Sequence, residues 1–208
     1  MKKQKLMTGA LILIATFLLN SFVLLTEGYK VGDKAADFKL KNVDGKMVSL
    51  NDYKSAKGYI VTFTCNHCPF AKMYEARIMA LDKKYNSKGY PVIAINSNDP
   101  VLSPEDSFDN MIKRSKEKNY SFPYLFDETQ NTARSFGATN TPHLYVLSKE
   151  GGALIVKYMG TIDDNAQDAA AATKHYVEDA IDNLLANKPV TVTETKAIGC
   201  TIKWKKNS

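Results

Sequence analysis

The chain has 208 residues, 44% hydrophobic and 24% charged, which is enough apolar material for one domain with a buried core and excludes a disordered chain. Its net charge of +6 sits at the ends: Lys2, Lys3 and Lys5 contribute +3 and the stretch from Lys188 onward +4. The body between carries −1, so no nucleic-acid face is implied.

The first element is Met1-Lys2-Lys3-Gln4-Lys5 followed by an uncharged apolar run from Leu6 to Leu25. A basic start and about 20 apolar residues predict a signal peptide or membrane-anchor helix over residues 1–28. The lysines stay inside and the remainder crosses the membrane. Thr26-Glu27-Gly28 is a weak substitute for small-residue cleavage chemistry, so cleavage and retention both stay open. No cysteine stands near the end of the run, which argues against a lipid anchor.

Next, Asp37–Leu40 and Met47–Leu50 flank Asp44-Gly45, a hairpin signal. Tyr59-Ile60-Val61-Thr62-Phe63 reads as a buried strand. A helix is expected from Pro69, with Met73, Ile78, Leu81 and Tyr85 on its apolar face. Tyr90 to Ile95 is a second buried strand. Ser103-Pro104-Glu105-Asp106 reads as the start of a helix running to about Lys118, with hydroxyl cap, early proline and acids in the first turn. A strand at Tyr124–Phe126 and a short helix at Thr132–Phe136 follow. Thr141-Pro142 then opens a strand at Leu144–Leu147, and Gly151-Gly152 turns the chain into Ala153–Tyr158. A last helix is expected from Asp168 to Ala186, with Val177, Ile181 and Leu184 on one face. Residues 188–208 form a lysine- and threonine-rich tail with no core pattern. Helices between strands, with hairpins, predict an α/β domain over residues 29–187 with a mixed central sheet.

The chemistry concentrates at Cys65-Asn66-His67-Cys68, which joins the first buried strand to the helix at Pro69. A helix N-terminus offers partial positive charge and free N–H groups, and both favour a thiolate. Cys65 is therefore expected to be the nucleophile and Cys68 the thiol that resolves a mixed disulfide. So short a disulfide loop adds little stability, which favours a reactive over a structural pair. Pro69 stands where a haem-attachment motif needs histidine, and no second cysteine pair completes a zinc site. His67 is placed to stabilise the Cys65 thiolate. Cys200 is either a third redox thiol or a small packed residue. His143 reads most simply as structural and His175 as a surface residue.

The strand ending at Cys65-x-x-Cys68, the helix after it, Thr141-Pro142 before a late strand, the closing hairpin and the last helix together resemble the thioredoxin-like superfamily. The resemblance covers Val31 to Asn187. Within it the chain is most similar to the exported thioredoxin and peroxiredoxin-like (redoxin, AhpC/TSA-related) branch, and Gly199-Cys200-Thr201-Ile202-Lys203-Trp204 resembles the tail of one peroxiredoxin-like subgroup. The resemblance implies a three-layer fold and a cis proline at Pro142 facing the disulfide, with Thr141 beside it pairing with substrate. The Cys-x-His-Cys order is similar to that of periplasmic disulfide oxidases. Two departures stand out. The buried acid that thioredoxin carries before its cysteines has no counterpart between Asp52 and Glu75, and Thr64 replaces its tryptophan. The peroxiredoxin pattern Pro-x-x-x-Thr-x-x-Cys is incomplete: Thr62 fits, but Gly58 stands at the proline position.

These readings converge on an exported thiol–disulfide oxidoreductase of the cell envelope, held in the inner membrane if the leader is kept. Its partners are protein or small-molecule thiols and disulfides and an envelope thiol redox protein. No cofactor, resident metal or nucleic acid is implied. A peroxiredoxin-like thiol peroxidase and a copper or zinc carrier using Cys65, Cys68 and a histidine stay open as alternatives.

Overall fold

The computed structural model describes residues 28–206. The apolar run from Leu6 to Leu25 lies outside the described residues. Among those described, no helix is long and apolar enough to cross a membrane. The strands are β1 (Lys34–Ala35), β2 (Lys39–Asn42), β3 (Met47–Ser49), β4 (Gly58–Phe63), β5 (Val92–Asn96), β6 (Tyr124–Phe126), β7 (Asn140–Thr141), β8 (His143–Glu150), β9 (Ala153–Gly160) and β10 (Cys200–Thr201). The helices are α1 (Pro69–Tyr85), α2 (Phe108–Lys118), α3 (Asn131–Phe136) and α4 (Tyr176–Leu185).

Eight strands make one mixed sheet in the order β1-β9-β8-β4-β5-β6-β2-β3, with β4, β5 and β6 parallel and the other neighbours antiparallel. This is the expected mixed α/β, thioredoxin-like arrangement. The β2–β3 hairpin turns at Gly45, whose φ of +85° suits a residue without a Cβ. β4 lies at the centre and all six of its residues are buried, as expected of a strand covered on both faces. Ile60 points into a core shared with Tyr74, Ile78 and Leu81 of α1 and Val177 and Ile181 of α4. Tyr59, Val61 and Phe63 point the other way, toward Leu50, Phe136 and Ile202. That alternation makes the three layers.

Three expectations need correction. Met73 is 38% exposed, and Tyr74 occupies the core position on α1 instead. The helix expected from Ser103 begins only at Phe108, and Pro104–Asp106 forms a separate 3-10 turn. The Ser103 hydroxyl bonds the Asp106 carboxylate rather than capping the backbone, and Asp106 turns inward. The last helix begins at Tyr176, not Asp168. Upstream of it Asp164, Asn165 and Asp168 accept the backbone N–H groups of Thr173, Lys174, Gln167 and Ala170, so local side-chain bonds displace helix.

The stretch after Lys188 is built into the fold. β10 pairs antiparallel with β7, Cys200 opposite Thr141. Ile202 is 3% exposed within the core, and Trp204 stacks under the Arg134 guanidinium. Backbone groups of Lys203 bond Asp99, Asn98 and Gln130. Ile202→Ala should therefore lower the unfolding free energy by about 2–5 kcal/mol in urea titration. A loss below about 0.5 kcal/mol, the range of ordinary surface changes, would show that the tail is not core.

Candidate active site

Cys65 follows the end of β4, and Cys68 is the residue from which α1 starts, with Pro69 at its first position. The β4–β8 register sets Phe63 opposite His143. The chain just beyond Phe63 is thereby brought beside Thr141-Pro142, whose peptide bond is cis. Cys65 Sγ lies 3.2 Å from Thr141 Oγ1, and Cys68 Sγ lies 3.2 Å from the Thr141 carbonyl oxygen. Cys200, opposite Thr141 on β10, directs its N–H to Cys68 Sγ at 3.4 Å, and Thr141 Oγ1 donates to the Cys200 carbonyl at 3.4 Å. All three cysteines are free thiols. The structure thus brings Cys65, Cys68, His67, Thr141, Pro142 and Cys200 to one place, although Cys200 is 132 residues from Cys68 in sequence.

The two sulfurs of the pair are in hydrogen-bonding contact with each other. The bond to Cys68, followed by burial and the Asp106 charge, pushes the Cys65 thiol up. The bond from Cys65 first, then contacts from Cys200 and from the Ala71 amide at the start of α1, holds Cys68 down. Sequence reasoning gives the thiolate to Cys65. In this reduced arrangement the negative charge is favoured on Cys68, first because it receives the hydrogen bond from Cys65 and then through Cys200 and the Ala71 amide at the start of α1. Cys65 is 4% exposed and Cys68 fully buried, so Cys65 is the more reachable of the pair.

The site holds an acid that the sequence does not reveal. Asp106 is fully buried, and its carboxylate accepts the Asn66 N–H at 2.6 Å, the Asn98 side-chain amide at 2.7 Å, the Ser103 hydroxyl at 2.9 Å and His67 Nδ1 at 2.5 Å. These bonds compensate burial of the carboxylate and fix the Cys65–Cys68 loop from below. Cys65 Sγ, a His67 ring nitrogen and an Asp106 oxygen lie within 4.8 Å of one another. Such a group resembles a metal site, but Asp106 already accepts four donors, which suits a carboxylate holding a histidine rather than a cation. Glu75 is a second acid near Cys65: it lines a small cavity with Cys65 and Ala94 and is paired with Arg114 and Tyr120.

The family model described as AhpC/TSA matches residues 31–163. The chain belongs to the AhpC/TSA family. Its place is the thioredoxin-like redoxin branch, a group of redox enzymes. A conserved protein of Geobacillus kaustophilus, uncharacterised by its title, has a solved structure that is 40% identical, with a TM-score of 0.79 over 86% of this chain and 94% of that one. The thiol-disulfide oxidoreductase ResA of Bacillus thuringiensis subsp. konkukian is 24% identical over 157 residues, covering 73% of this chain and 86% of the relative. ResA of Halalkalibacterium halodurans is also 24% identical, over 122 residues, covering 59% of this chain and 65% of that relative.

His143 is not part of the cluster. Its ring packs on Tyr145 with centroids 4.7 Å apart, and burial lowers its pKa to about 4. His175 is exposed at the start of α4. A histidine buried neutral binds its proton more weakly folded than unfolded, so its contribution to stability is complete above the unfolded value and is lost as pH falls. Wild-type unfolding free energy should therefore drop by about 3 kcal/mol more than that of His143→Phe between about pH 6.5 and about pH 4. Equal slopes in chemical denaturation across that window would contradict the assignment.

Proposed function

We propose that the chain is a thiol–disulfide oxidoreductase that works through a mixed disulfide on Cys65. The observation that carries the reading is the hydrogen-bonded pair of free thiols, Cys65 and Cys68, at the junction of a buried central strand and a helix N-terminus. As Cys65 attacks a substrate disulfide, its proton passes along the S···S hydrogen bond to Cys68, whose new S–H can donate to the Thr141 carbonyl. One substrate sulfur leaves as a thiolate, which takes its proton from solvent. Cys68 then loses its proton and attacks Cys65, closing the Cys65–Cys68 disulfide and releasing the second substrate sulfur. The reverse sequence oxidises a dithiol, and direction follows the partner's potential. His67, held by Asp106, lies close enough to stabilise negative charge on Cys65. The function of the ResA relatives supports this reading.

The partners proposed are protein thiols and disulfides at the cell envelope, with the basic, apolar leader as the export signal or anchor. A thiol peroxidase is less well supported. The proline its motif needs falls at Gly58, where even a Cβ would stand 2.1 Å from the Leu147 carbonyl oxygen.

Cys68→Ser should accumulate a Cys65 mixed disulfide when offered an oxidised protein or small disulfide, seen as a mass adduct on the Cys65 peptide. Cys65→Ser should form no such adduct and lose disulfide reductase activity. Undiminished turnover by Cys65→Ser would end the proposal. A second expectation concerns His67→Ala, whose Cys65–Cys68 couple should become more reducing by about 30 mV, one tenfold step in equilibrium constant. An unchanged potential would remove His67 from the mechanism.

A further inference from the structure

Three thiols meet at this site, and a two-cysteine cycle leaves one of them without a role. Cys68 lies between the other two. It hydrogen-bonds Cys65 on one side, and on the other it takes the Cys200 N–H at 3.4 Å and a contact from the Cys200 thiol. Cys200 is not there by chance of a loose terminus. Pairing of β10 with β7 fixes its backbone, the Asn140 side chain donates to the Gly199 carbonyl at 2.8 Å, and Ile202 is locked in the core two residues on. Gly199 itself packs so closely that a Cβ would stand 2.1 Å from the Thr141 carbonyl oxygen. The access of the three differs as well. Cys65 and Cys68 are buried, whereas Cys200 is partly exposed.

We propose that Cys200 is a third redox thiol that takes the disulfide over from Cys65, giving Cys68–Cys200 and carrying the oxidised pair to the protein surface. The proposal rests on the Cys65–Cys68 cycle above and extends it. The step is an internal exchange: Cys200 sulfur attacks Cys68 sulfur, the S–S bond to Cys65 breaks, and the Cys200 proton ends on Cys65. One thiol and one disulfide become one thiol and one disulfide of different pairing, with no net oxidation, so no outside reagent is consumed. Before the step Cys68 is tied in the disulfide and carries no charge, which removes the hydrogen bond to Cys68 and the repulsion that, after burial, keep the Cys200 thiol high. The departing Cys65 sulfur leaves beside Thr141 Oγ1 and His67, both placed to receive it. The product has a free Cys65, ready for a second substrate, and a disulfide whose Cys200 sulfur an incoming partner thiol can reach.

The test is disulfide mapping on the full chain. Wild type, Cys65→Ser and Cys200→Ser are oxidised with excess oxidised glutathione, quenched in acid, alkylated and analysed as peptides. The proposal expects a Cys68–Cys200 peptide in wild type, together with alkylated Cys65, and the same peptide as the main product in Cys65→Ser. In Cys200→Ser the Cys65–Cys68 disulfide should form, Cys65 alkylation in the oxidised protein should be lost, and reduction by a small thiol should be slower. Circular dichroism and thermal melting of each variant verify folding. A Cys65–Cys68 disulfide without Cys68–Cys200 in wild type and Cys65→Ser would overturn the relay and leave the two-cysteine cycle standing. Absence of both disulfides in wild type would overturn both readings. A Cys65–Cys200 product alone would overturn the relay, because it requires Cys68 at the centre.

Discussion

The pairing of β4 with β8 is the constraint on which the site depends. Phe63 sits opposite His143, so the residues just past the end of β4 meet the residues just before β8. Those are Cys65 and Thr141. Because β4 is buried on both faces and paired on both edges, its end has little freedom, and a shift by one residue would exchange its two core faces and misplace every side chain. Thr141 then becomes the common neighbour of the three thiols: its hydroxyl meets Cys65, its carbonyl meets Cys68, and its strand pairs with Cys200.

Around that contact the structure builds a polar network that would be costly to leave unpaired. Asp106 reaches the site from the 3-10 turn ahead of α2, and Asn66 links the same turn to the core through the Glu105 carbonyl and the Tyr124 hydroxyl. Asn98 bonds Asp106 on one side and the Lys203 backbone on the other. The cysteine loop, the segment after β5 and the C-terminal stretch are therefore joined by hydrogen bonds to charged or buried groups, whose loss costs more than that of exposed ones. This is how a chain with no acid between Asp52 and Glu75 still places a carboxylate beneath its reactive thiols.

What could be read from the sequence was local. Asp44-Gly45 announced its hairpin, the β-branched run at Tyr59–Phe63 announced its strand, and Cys65-x-x-Cys68 before Pro69 announced thiol chemistry at a helix start. The failures share one physical cause, competition from partners distant in sequence or from side chains bonding the backbone. Asp106 looks like a first-turn acid because its four donors come from Asn66, His67, Asn98 and Ser103, two of them some 40 residues away. The alanine run at Ala169–Ala172 looks helical, but Asp164 and Asn165 capture the backbone around it. The tail shows no periodicity because it contributes one core residue, Ile202, and one stacked tryptophan, Trp204, rather than a face. The charge preference for Cys68 over Cys65 depends first on the hydrogen bond between the two sulfurs and then on contacts from Cys200, which spacing does not encode.

The central claim is that Cys65 and Cys68 form a reversible two-electron couple. It is tested most directly by a redox titration of the full chain carrying Cys200→Ser, in which no third thiol can take the disulfide over, against dithiothreitol, with free thiols on the Cys65 and Cys68 peptides counted at each potential. The account predicts one reversible transition in which both thiols disappear together, with a slope of about 30 mV per tenfold change in ratio. Loss of Cys65 alone to irreversible sulfinic acid, with Cys68 still free throughout, would contradict it.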